Sequence, residues 1–99
     1  MIKYMENDSQ FTEMVINSKG KLVVDFFATW CQPCRMLGAI LEQMQGDIEI
    51  VKIDVDKCPL TARQYGVMSV PTIYFFNNGE DYDHRVGVLS AEEIEEILK

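Results

Sequence analysis

Ninety-nine residues, 47% of them hydrophobic and 25% charged, are enough for one domain with a real core (residues 1–99) and leave no room for a second. A net charge of −7 argues against nucleic acid and against anionic membrane surfaces as partners. No apolar run approaches the roughly 18 residues of a membrane span, and Met1 to Glu6 lacks the long apolar region of a signal peptide.

Residues 2–5 read as a short first strand. Asn7 with Gln10 resembles a capping box, and Phe11, Met14 and Val15 give the following helix an apolar face that Gly20 terminates. The apolar run Leu22-Val23-Val24-Asp25-Phe26-Phe27-Ala28 predicts a buried strand over 21–28. Asp25 is its odd member, because an acid inside such a strand is costly unless it is neutral or paired. A buried Asp25 would hold its proton above the ordinary carboxylate range and could exchange it with a nearby thiol.

Trp30-Cys31-Gln32-Pro33-Cys34 comes next, and Leu37, Ile40, Leu41 and Met44 recur behind it at helical spacing, predicting a helix over 33–45 closed by Gly46. The two thiols therefore lie where a strand hands over to a helix N-terminus. The orphan N–H groups and dipole of that terminus favour negative charge, so Cys31 ionises more readily than a free thiol and is the expected nucleophile. Cys34 falls on the side shared with Leu37 and Leu41, facing the core, and is placed to resolve a mixed disulfide from inside. Neighbours at that spacing lie about 5–6 Å apart at Cβ, so a modest adjustment permits a bond. Pro33 is tolerated in a first turn, which has no helical hydrogen bond to lose.

Ile48 to Val55 reads as a further strand and Pro59 to Tyr65 as a short helix stopped at Gly66. Thr72 to Phe76 is strongly β in character, Asn77-Asn78-Gly79 is a hairpin signal, and Tyr82 to Val88 returns antiparallel. Ser90 with Glu93 caps a last helix whose apolar face is Ile94, Ile97 and Leu98. The order βαβαβαββα describes an α/β chain with a mixed central sheet and helices on both faces.

Three cysteines, an odd count, do not make a secreted disulfide framework, and a reducing cytoplasm is the expected compartment. There a CxxC reads as redox or metal chemistry. Cys31, Cys34, Cys58 and His84 could make up a Cys₃His set, but the spacing lacks the two close ligand pairs of a structural zinc site. With neither a ligand cluster nor a Gly-rich phosphate loop, no metal or cofactor is expected. Cys58 reads as a structural thiol and His84 as solvated.

Val24-Asp25-Phe26, the Trp-Cys-Gln-Pro-Cys stretch, Val70-Pro71-Thr72, Asn78-Gly79 and Gly87 together resemble the thioredoxin family, nearly from end to end. The resemblance implies a thioredoxin fold and a protein-disulfide reductase that needs no bound cofactor. Its partners would be protein disulfides and a flavin-containing thioredoxin reductase, and it would act as a monomer. It implies that Asp25 exchanges the proton of Cys34 and that Lys52, which alone reads as a solvated strand residue, modulates that acid. Pro71 would be cis and face the disulfide, leaving the Val70 backbone free to pair with an extended substrate. Trp30, Gln32, Pro33, Ser69, Val70 and Gly87 would contact that substrate, with Val55, Val86 and Val88 beside them. Gln32 departs from the family's usual glycine between the cysteines, where residues tune the potential. The alternatives are a disulfide oxidase or isomerase of higher potential, and a binding subunit on the same fold whose thiols are incidental.

Overall fold

A computed structural model describes all of residues 1–99. The strands are β1 (Ile2–Met5), β2 (Lys21–Phe27), β3 (Ile50–Asp54), β4 (Thr72–Asn77) and β5 (Glu80–Val86), and the α-helices are α1 (Gln32–Met44), α2 (Pro59–Gln64) and α3 (Ala91–Leu98). They form one mixed sheet in the order β1-β3-β2-β4-β5, with β1, β3 and β2 parallel and β4 and β5 antiparallel additions. This is the mixed sheet with helices on both faces that the order of elements predicted.

β2 runs through the middle, and both of its faces are covered. Leu22, Val24 and Phe26 point to one side, where Val51, Ile53, Tyr74 and Phe76 join Phe11, Val15 and Ala62. Val23 points to the other, where Ile50, Ile73 and Phe75 pack against Leu37, Leu41 and Met44 of α1 and Ile94 of α3. Double coverage explains why β2 reads as a continuous apolar run instead of an alternating one. Asp25 shares the parity of Val23 and so faces α1.

The expected elements are present, with displaced boundaries. The Asn7 capping box forms, but it starts a 3₁₀ turn (Asp8–Gln10) followed by a π-helical segment (Thr12–Ile16) instead of an α-helix. β3 is shorter than the expected 48–55, and β5 starts and ends two residues before the expected 82–88. The hairpin turn is of the primed kind. Asn78 and Gly79 both take positive φ, 51° and 83°, matching the twist of the flanking strands. Gly79 is also held by space, since a Cβ there would lie 2.0 Å from the Ile16 carbonyl oxygen. No helix is long and apolar enough to cross a membrane.

Candidate active site

The site forms where β2 leaves the sheet. After Phe27 the chain turns through Ala28, Thr29 and Trp30, and Cys31 takes extended backbone (φ −97°, ψ 114°) as the residue capping α1. Arg35 braces this turn by donating from Nη2 to the Thr29 carbonyl at 3.0 Å. The Cys31 sulfur accepts a hydrogen bond from the Cys34 N–H at 3.2 Å. A helix N–H thus points at the Cys31 sulfur, an arrangement that favours negative charge on that atom. Pro33 occupies the first turn, and Gln32 and Pro33 are exposed on its outer side.

Cys31 and Cys34 are joined in a disulfide with Cα atoms 5.3 Å apart. Both are buried, in a small apolar cluster with Ala28 and with Phe27, Val55 and Val70 at its margin. The Cys31 sulfur lies 3.6 Å from the Val70 carbonyl oxygen. The Val70–Pro71 bond is cis. Thr72 Oγ1 donates to the Ser69 carbonyl at 2.7 Å, and the Gly87 N–H donates to the Pro71 carbonyl at 2.8 Å. Gly87, Ser69 and Val70 are thereby tied to one loop against the sulfur pair.

Trp30 is 68% exposed, so it belongs to the surface and not to the core. Its indole N–H donates to Asp56 Oδ2 at 3.0 Å, while the Asp56 N–H donates to Asp54 Oδ1 at 2.8 Å. Trp30, Val55, Val67, Met68, Ser69 and Val70 line a shallow groove of about 170 Å³ beside the disulfide. Met68 is 95% exposed there and Met36 is also exposed, so neither serves as core. A flexible thioether on an open surface gives adaptable contact area.

Asp25 is completely buried, and neither of its carboxylate oxygens receives a hydrogen bond. Its strand neighbours are Lys52 on β3 and the apolar Ile73 on β4. Burial pushes its pKa up to about 6, against the attraction of the Lys52 ammonium 3.5 Å from Oδ2. Lys52 is itself mostly covered, with its ammonium 4.6 Å from the centre of the Phe27 ring and 5.9 Å from that of Tyr4. Read from its own segment Lys52 is a solvated residue; strand register instead brings it to the buried acid, as the resemblance implied.

Cys58 is buried at the start of α2, where its thiol points to the Met5 carbonyl. Burial and the nearby Asp8, Asp54 and Glu6 charges push it up to about 11, so it stays a neutral thiol at physiological pH. His84 is exposed on β5 and stacks on Tyr74 at 4.8 Å. No three His, Cys, Asp or Glu side chains lie close enough together to hold a metal ion. One contributor escaped the sequence reading: Asp56 orients Trp30, with no spacing signal to mark it.

Comparison with known proteins gives one answer. The family model described as Thioredoxin matches residues 2–99. A thioredoxin of Staphylococcus haemolyticus is 43% identical over 95 residues, covering 92% of this chain and 89% of that protein. One from Mycoplasmoides gallisepticum is 37% identical over 101 residues, covering 99% of this chain and 100% of that protein. The M-type chloroplastic thioredoxin of Pisum sativum is 40% identical over 97 residues. The match takes in 94% of this chain but 56% of the pea protein, so the chain spans little more than half of that relative.

Proposed function

Since the chain belongs to the thioredoxin family, we propose that it reduces disulfides in extended protein segments, with Cys31 attacking, Cys34 resolving and Asp25 carrying the proton. The observation that carries this reading is the Cys31 sulfur, which accepts a helix N–H on one side and abuts the Val70 carbonyl on the other. The activity is thioredoxin-type protein-disulfide oxidoreduction.

In the reduced protein the Cys31 thiolate attacks one sulfur of a substrate disulfide. A bond forms between Cys31 and that sulfur, and the other substrate sulfur leaves as a thiolate that takes a proton from water. The substrate lies along the Trp30–Val70 groove and pairs with the Val70 backbone as an added strand. Gln32 and Pro33 at the helix tip and Ser69 and Gly87 beside Pro71 complete its contact surface.

Cys34 is buried and must lose its proton before it can attack. The Asp25 carboxylate takes that proton, and Lys52 sets how readily it does so. Cys34 then bonds to Cys31, the bond from Cys31 to the substrate breaks, that substrate sulfur leaves as a thiolate that takes a proton from water, and the protein is left in the disulfide state seen here. Its partners are protein disulfides and a thioredoxin reductase that returns two electrons. We read the chain as a monomer of the cytoplasm.

The test is Cys34→Ser. That variant accumulates a covalent complex with a disulfide-containing protein through Cys31, released by dithiothreitol. Cys31→Ser forms none. Trapping through Cys58, or no trapping at all, contradicts the assignment.

A further inference from the structure

Five side chains, one per strand, form a row across the α1 face of the sheet: Tyr4, Lys52, Asp25, Ile73 and Arg85. α1 lies over the middle of that row, with Cys34, Leu37, Leu41 and Met44 as its buried residues and Gly38 among them, half-covered. A Cβ added to Gly38 would lie 3.2 Å from the Lys52 Nζ and, beyond its own helix, meet nothing else within 4 Å. The ammonium therefore lies closer to position 38 than a Cβ there would comfortably allow. The same ammonium is 3.5 Å from Asp25 Oδ2. Glycine is the weakest helix former after proline, and nothing in the backbone of α1 requires it at this point.

We propose that Gly38 is a positioning residue, whose missing side chain seats the Lys52 ammonium against the Asp25 carboxyl beneath the active-site helix. The functional consequence rests on the reading that Asp25 takes the Cys34 proton. Lys52 is the charged group acting on Asp25. β4 offers the apolar Ile73 beside it, α3 buries Ile94 on this face, and on the covered side of α1 only Cys34 titrates, and only when reduced. Tyr4 of β1 faces Lys52, not the acid. A methyl group at 38 crowds the ammonium at 3.2 Å, a contact that makes it give by a few tenths of an ångström. Lys52 then shifts by a few tenths of an ångström away from α1, toward the side on which its side chain is already 11% exposed. The attraction holding Asp25 ionised weakens, and the carboxyl keeps its proton to higher pH.

The experiment is Gly38→Ala, read by an NMR titration of the Asp25 carboxyl carbon and by the pH profile of mixed-disulfide release. Alanine suits a helix interior, and the group it meets is the mobile end of a side chain, so the fold is retained. The Asp25 midpoint rises by roughly 0.3 of a pH unit, about twofold in proton affinity, and the release profile moves with it. In a Lys52→Met background the same glycine substitution changes neither. A midpoint that is unchanged or lowered overturns the proposal, as does an equal rise with and without Lys52. The reading beneath it fails separately: Asp25→Asn with an unaltered release profile rejects proton transfer by Asp25, whatever the Gly38 titration shows.

Discussion

Asp25 sits where hydrophobic packing alone would place a valine, with no hydrogen bond to either oxygen. Its pKa of about 6 lies above the ordinary carboxylate value of 3.8. The native state thus binds a proton that the unfolded chain has already released, and stability falls as pH rises from about 4 to about 6. Above that window the buried charge weakens the fold by about 3 kcal/mol. Asp25→Asn therefore raises stability to urea at pH 8 by up to about that amount, and its advantage disappears below pH 4. A variant less stable than the parent at pH 8 would contradict the burial argument. The acid itself was legible in the sequence, as one charge in an apolar run. Its partner was not, since Lys52 reaches it through strand register, and the local pattern Val51-Lys52-Ile53-Asp54 looks like an ordinary strand.

At the scale of elements, legibility followed local chemistry. Both capping boxes and the Asn-Gly turn carry their geometry in adjacent residues, and all three formed as expected. The N-terminal helical segment did not follow the α pattern. Phe11, Met14 and Val15 specify only that one side is apolar, which a 3₁₀ turn running into a π-helical segment satisfies as well. The β4–β5 hairpin is pinned to the end of that segment and to the turn after it: Gly79 lies against the Ile16 carbonyl, and the Gly20 N–H donates to Asn78 Oδ1 at 2.8 Å. Gly79→Ala strains a positive φ and forces a backbone clash together. Each effect costs about 1 kcal/mol or more, and the urea midpoint drops accordingly with little change in slope. An unchanged midpoint would show that the hairpin and the N-terminal segment are not rigidly coupled.

Across the whole molecule, one central strand serves both stability and chemistry. β2 is covered on both faces, carries the buried acid in its middle and delivers the cysteines at its C-terminal end, where α1 begins. The cis Val70–Pro71 loop arrives from β4, the neighbour of β2, and the Lys52 ammonium from β3, the neighbour on the other side. Sheet order thus assembles a site from segments far apart in the chain. The sequence motifs marked the pieces, and the resemblance to a family marked their conjunction. Trp30 held by Asp56, and the close approach of the Lys52 ammonium to Gly38, were visible only once the pieces met.

The most direct test of the central claim is the equilibrium potential of the Cys31–Cys34 couple, measured in a Cys58→Ser background by counting alkylated thiols across graded redox buffers. Neither Gln32 nor Pro33 adds positive charge beside the Cys31 sulfur, so the thiolate is stabilised by the helix terminus without a neighbouring cation, and a reducing couple follows. The account predicts a value near −270 mV. A value near −180 mV, or no intramolecular disulfide at any poise, would contradict it.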